Sequence, residues 1–127
     1  MDGRIRMRIG GESATISLYD RQAPNMCRKI LGVLPLKTVL LHAKFAGPEI
    51  MLRAPLFCDG ENMTTRQEAG NVCYNDSSQT ICIFYEDVPG MGPCTLFGKI
   101  TENLEGIQRE GRKGWRRQGT VVEITRM

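Results

Sequence analysis

The sequence predicts a mostly β fold, a closed antiparallel barrel of about eight strands with two short helices, and three observations carry that prediction. Apolar and polar residues alternate with period two in several short runs, turn residues separate those runs, and only two windows keep helical spacing. The stretch from Glu68 to Ile100 is the densest case, with strand, polar turn, apolar strand and glycine-containing strand in succession and almost no room for helix.

At the N-terminus Arg4, Arg6 and Arg8 alternate with Ile5, Met7 and Ile9, which puts arginines on one sheet face and apolar side chains on the other. Gly10-Gly11 allows a tight reversal, and Ala14, Ile16 and Leu18 resume the alternation, so a hairpin is expected. Met26, Ile30, Val33 and Leu34 then fall near helical spacing, with Pro24 suited to a first turn and Gly32 with Pro35 marking the end. Val39 to Ala46 reads as strand, with Val39, Leu41, Ala43 and Phe45 on one face and Leu40, His42 and Lys44 on a more polar one. Gly47-Pro48 turns the chain into a strand from Glu49 to Ala54.

Gly60 and the polar run Asn62 to Gln67 read as a surface loop, and Gly70 opens a strand through Val72, Cys73 and Tyr74. Asn75-Asp76-Ser77-Ser78 is turn chemistry. Thr80 to Tyr85 is apolar on both faces, as in a wall strand with a helix packed outside it. Pro89-Gly90-Met91-Gly92-Pro93 cannot continue a ladder, which predicts a loop beside the barrel opening. A second helix is expected from about Leu104 to Lys113, weak in propensity because of Gly106 and Gly111, and Thr120 to Arg126 closes the chain as a strand.

The chain of 127 residues fits one domain over 1–127, and its 41% hydrophobic and 24% charged content lies outside the disordered regime. No run approaches the roughly 18 apolar residues of a membrane span, and no secretory h-region is present, so a cytoplasmic protein is expected. Five cysteines (Cys27, Cys58, Cys73, Cys82 and Cys94) show neither CxxC nor zinc-knuckle spacing, which predicts buried free thiols in a reducing compartment. The net charge of +3 is local: Arg109 to Arg117 holds five basic residues against Glu110, and the rest of the chain sums to −1. Helix-end charge explains that patch better than polyanion binding, although Trp115 within it keeps a nucleic-acid module as a distant alternative.

The run Leu41-His42-Ala43-Lys44-Phe45-Ala46-Gly47-Pro48-Glu49-Ile50, the segment Gly70-Asn71-Val72-Cys73-Tyr74, and Ile81-Cys82-Ile83-Phe84-Tyr85 before Phe97-Gly98-Lys99-Ile100 resemble small bacterial proteins of unassigned function with a cyclophilin-like fold. The resemblance covers residues 3 to 126 and implies an eight-stranded barrel with helices at its ends. The wider relatives it implies include peptidyl-prolyl cis-trans isomerases and parts of amide-hydrolysing enzymes of urea degradation. The Phe-His-Arg and Phe-x-x-Gln strings of proline-isomerising cyclophilins are missing, and Met51-Leu52-Arg53 is no match, which leaves isomerase as the alternative function.

His42 is the sole histidine, able to exchange a proton near neutral pH but without a second imidazole to complete a metal site. Glu49 and Arg53 share a strand face, where a guanidinium fork and a carboxylate can hold an amide or carboxylate. Tyr74 and Tyr85 flank the wall strands as candidate pocket walls. No Gly-x-Ser-x-Gly elbow or phosphate loop occurs, so no catalytic residue, metal or cofactor is assigned. The expected function is noncovalent binding of a small polar metabolite at the barrel mouth through His42, Glu49, Arg53, Tyr74 and Tyr85, accessory to amide or nitrogen metabolism as the resemblance implies. Whether a reaction follows is open, and so is homodimerisation.

Overall fold

A computed structural model describes residues 3–127; residues 1 and 2 of the domain expected over 1–127 lie outside the described residues. Strands β1 (Arg4–Ile9) and β2 (Glu12–Leu18) form the hairpin the alternation demands, with Ile5 opposite Ile16 and Met7 opposite Ala14. Ile5, Met7 and Ile9 are buried in the barrel and Arg4, Arg6 and Arg8 are exposed. Helix α1 (Pro24–Val33) begins on its proline and buries Met26, Cys27 and Ile30. Strands β3 (Leu36–Val39), β4 (Leu41–His42), β5 (Glu49–Arg53), β6 (Met63–Thr64), β7 (Asn71–Asn75), β8 (Thr80–Phe84) and β9 (Cys94–Glu102) follow, then helix α2 (Leu104–Arg116) and strand β10 (Val121–Arg126).

Every strand pairing is antiparallel, in the order β3-β10-β1-β2-β9-β7-β8-β5-β4, with β6 attached to β9 off this path. The two ends of that order are one kinked run of chain, separated only by Leu40. The Leu40 N–H donates to Thr120 O and the Leu40 carbonyl accepts from the Gly119 N–H, both at 2.8 Å, while two residues later His42 pairs with Ile50 of β5. The run thus changes partner at Leu40 and nearly closes the barrel. Nine strands lie along the path, but β3 and β4 share one run, so eight runs of chain build the wall.

This change of partner corrects the expectation for Val39 to Ala46. Strand ends at His42, Lys44–Ala46 forms a 3-10 turn, and Phe45 is 90% exposed. Leu40 and His42 turn inward, so the face read as polar is the buried one. Two further expectations change on the far wall. Ile81 and Ile83 fill the barrel, whereas Cys82 and Phe84 face outward into a second apolar cluster with Cys73, Val88 and Cys94. No helix covers them. The loop after β8 does, pinned by paired Gln67–Val88 backbone bonds of 2.9 Å and by Met91 N–H donating to Thr65 O at 3.0 Å. The Pro89 to Pro93 loop therefore belongs to the outer wall, not to the mouth.

Helix α2 runs three residues beyond its expected end, and its glycines explain why a weak helix former persists there. Its N-cap Asn103 accepts from the Gly106 N–H at 3.1 Å. A Cβ built on Gly111 would lie 2.6 Å from the Tyr85 ring, and one on Gly114 would lie 2.5 Å from Leu40, so the helix backbone sits directly on the barrel. Helical propensity alone says that alanine at either position stabilises by up to about 1 kcal/mol. Steric overlap reverses that sign: Gly111→Ala and Gly114→Ala are each expected to destabilise by about 1–3 kcal/mol in urea unfolding. Gly32→Ala in α1, where a Cβ meets nothing within 4 Å, is the stabilising control. Equal behaviour of the three variants would refute close packing of α2.

Candidate functional site

The end of the barrel under α2 holds the one constellation in which side chains from distant parts of the sequence converge on a buried imidazole. His42, only 7% exposed, points inward because its pair partner Ile50 does. Its Nε2 lies 2.8 Å from the Tyr85 hydroxyl. Trp115 stands edge-on to the imidazole, with ring centroids 4.9 Å apart and planes at 77°, and Tyr85 makes a similar edge contact at 5.7 Å. The His42 N–H donates to Gln118 Oε1 at 2.7 Å, which ties β4 to the segment after α2, and Gln108 Nε2 donates to Tyr85 O at 2.9 Å.

Electrostatics keep this group neutral. Burial, reinforced by the Lys44 charge, holds the His42 pKa below its ordinary 6.5. Burial and then Glu86 push the Tyr85 phenol up, against a smaller opposing effect of Arg112. The phenol and neutral imidazole share one hydrogen bond, and whichever nitrogen carries the proton, His42 Nδ1 remains buried without a partner among the described residues. Such an orphan costs about 1–3 kcal/mol, an expense that core packing alone would avoid.

Beside the cluster opens a cleft of about 530 Å3 lined by Gly47, Pro48, Tyr85, Glu86, Asp87, Arg112 and Trp115. Trp115 is 44% exposed and so forms a wall with one side against His42 and another toward solvent. Arg112 reaches Glu86 only at 3.9 Å, with both side chains more than half exposed, so its guanidinium is free to turn to another acceptor at little cost.

Residues 5–126 match the family described as "Protein of unknown function (DUF3830)". The chain belongs to the DUF3830 family. No curated protein matches it. Among solved structures it is similar to "McbB in complex with tryptophan", with a TM-score of 0.85 and 15% identity over 96% of this chain and 44% of that one. It is also similar to the hypothetical protein AF2241 from Archaeoglobus fulgidus, with a TM-score of 0.71 and 23% identity over 98% of this chain and 95% of the other. The DUF3830 chain thus spans less than half the length of McbB, and both likenesses concern the fold.

In this DUF3830 chain the five residues expected at one mouth occupy three places. His42 and Tyr85 meet, as described. Glu49 and Arg53 do share a face, but it is the outer one: Arg53 is exposed, while Glu49 is buried beside Cys82. Tyr74 is buried with its hydroxyl 2.6 Å from Ala54 O and 2.8 Å from Leu56 O, and it accepts from the Leu56 N–H at 2.9 Å, which uses the group structurally. Two of the five basic residues of the Arg109 to Arg117 patch are closely paired with acids: Arg109 with Glu12 and Lys113 with Glu110, each at 3.1 Å. Trp115 and Arg112, read from sequence as parts of that patch, are instead walls of the cleft. Gly111 and Gly114 were the signal that could have found them, since glycines on one helix face mark close approach and orient the residues beside them. Among the described residues no three His, Cys, Asp or Glu side chains are placed to hold a metal ion together, and no helix is long and apolar enough to cross a membrane.

Two titrations check these surroundings. The unfolded chain binds a proton at His42 near pH 6.5 and the folded chain only lower, so the stability His42 confers is complete above pH 6.5 and is lost as pH falls through the folded value. NMR titration of the single imidazole is expected to give a midpoint below 6.5, and His42→Gln should flatten this part of the stability profile. An unshifted midpoint would contradict the buried environment. Burial pushes the Glu49 carboxyl up from its ordinary 4.5, so its stabilising contribution is present at low pH and lost as pH rises. Glu49→Gln is therefore expected to raise Tm at neutral pH, with the gain disappearing below about pH 4.5.

Proposed function

We propose that this chain binds a small polar metabolite carrying an amide or carboxylate, noncovalently, in the cleft between α2 and the Gly47-Pro48 turn. The observation that supports this reading is the composition of the cleft around one half-exposed indole. Arg112 offers a planar fork of N–H donors to a carboxylate or amide oxygen. Glu86 and Asp87 offer acceptors to amide or amine N–H groups. Trp115 offers a flat apolar surface to the body of the ligand. A volume of about 530 Å3 falls in the range of small-molecule sites.

The His42–Tyr85 pair acts behind this wall. By holding the phenol with one hydrogen bond and the indole by edge contact, the imidazole fixes two of the surfaces that a ligand meets. Binding to pre-set walls spares the ordering cost that loosely held side chains would impose.

A thermal-shift screen of small amides, carboxylates and amino acids tests the proposal, and tryptophan belongs in the panel because the McbB structure contains it. A stabilising ligand should lose at least about tenfold in affinity in Arg112→Ala and in Trp115→Ala, as removal of a charge-assisted hydrogen bond or a buried contact implies. Arg53→Ala, on the outer wall, should bind normally. Absence of any stabilising compound, or binding that survives both cleft substitutions, would overturn the proposal.

A further inference from the structure

Outside the barrel, on the face opposite its core, three of the five cysteines gather under the loop that follows β8. Cys73 of β7 is the direct pair partner of Cys82 on β8, and Cys94 begins the neighbouring β9. All five thiols are free and buried, but among the described residues only here does a polar side chain organise two of them together. The Cys73 thiol donates to Gln67 Oε1 at 3.3 Å, and Gln67 Nε2 donates to the Cys94 sulfur at 3.4 Å. Asn71 Nδ2 also donates to Gln67 Oε1, at 3.0 Å, and paired backbone bonds with Val88 lock Gln67 in place.

One carboxamide therefore treats the two sulfurs unequally. Its oxygen can only accept, which keeps the proton on Cys73. Its N–H can only donate, which favours an electron-rich Cys94 sulfur. We infer that Cys94 and Cys73 form an oxidant-reactive dithiol, with Cys94 as the attacking sulfur, Cys73 as the resolving one, and an uncharged hydroperoxide as the oxidant.

Access favours the same assignment. Cys94 lines a separate cleft of about 360 Å3, as does Cys58, whereas Cys73 and Cys82 do not, so of the three clustered thiols Cys94 is the one a small oxidant reaches. Asp59 and Asp76 also line that cleft, and their charge admits a neutral peroxide more readily than an anionic oxidant. The thiol environments diverge as well. Contact with Cys73 holds Cys94 below the ordinary thiol range, against burial and the nearby Glu49, while the same contact and burial push Cys73 up.

The chemistry balances in two steps. The Cys94 thiolate attacks one peroxide oxygen; the O–O bond breaks, the leaving alkoxide or hydroxide takes up a proton, and Cys94 becomes a sulfenic acid. Cys73 sulfur then attacks Cys94 sulfur, the S–O bond breaks, and the hydroxyl leaves as water with the Cys73 proton. Two sulfurs lose two electrons in total, and the peroxide gains them.

The test exposes the folded full-length chain to hydrogen peroxide, alkylates it after denaturation, and reads intact mass and peptide maps. The expected product is lighter by two hydrogens and protects Cys73 and Cys94 from alkylation, while Cys27 stays alkylatable. In Cys73→Ser the Cys94 sulfenic acid should persist and be trapped by dimedone. Gln67→Met should slow Cys94 oxidation several-fold while leaving the thermal transition cooperative. Recovery of both thiols reduced under peroxide that oxidises the urea-unfolded chain would overturn the inference. So would a Cys73–Cys82 bridge, or first oxidation at Cys27 or Cys58. The wild-type map decides among these outcomes even if a variant fails to fold.

Discussion

The run of chain through Leu40 governs the rest of the molecule. A sheet of this order has two free ends, and they join only because Leu36 to His42 pairs first with β10 and then with β5. The kink has to be held, since a strand that slips by one residue exchanges its buried and exposed faces. Leu40 supplies the hold. Its backbone bonds to Gly119 and Thr120, and its side chain meets Gly114 of α2 at a distance no Cβ could share.

Closure and site formation are consequently one event. The inward turn at Leu40 also turns His42 inward, and the two-glycine face that lets α2 settle on Leu40 and Tyr85 brings Trp115 onto the imidazole. Neither the helix nor the kinked strand would be strong alone. Three glycines weaken α2, and a two-residue β4 forms little ladder. Each is stabilised by burial against the other, which is how an imidazole with an unmet nitrogen is kept in the interior.

Much of this architecture is legible in the residues, and the illegible part has a common cause. The Arg4 to Leu18 hairpin, the helix between Pro24 and Pro35 and the wall strand around Ile81 follow from local alternation, prolines and turn residues, which act over a few positions. Alternation also places His42 with Leu40, and Glu49 with Arg53, on shared faces. It does not say which face looks inward; that depends on strands far away in sequence. Hence Glu49 and Arg53 fall outside the barrel while His42 lies within it. The loop around Pro89 is evident as a loop, but the Gln67–Val88 bonds that lay it over the outer wall are long-range. The meeting of Trp115 with His42 is the extreme case, because it needs both the closure and the glycine face.

One arrangement gives the molecule an internal indicator. The sequence contains a single tryptophan and a single histidine, and they are in edge contact. Indole emission from this chain arises wholly at the cleft wall, and a protonated imidazole is an efficient quencher of such emission. Fluorescence intensity and colour therefore report the charge of His42 and the wetness of its surroundings without any attached dye, on the native sequence.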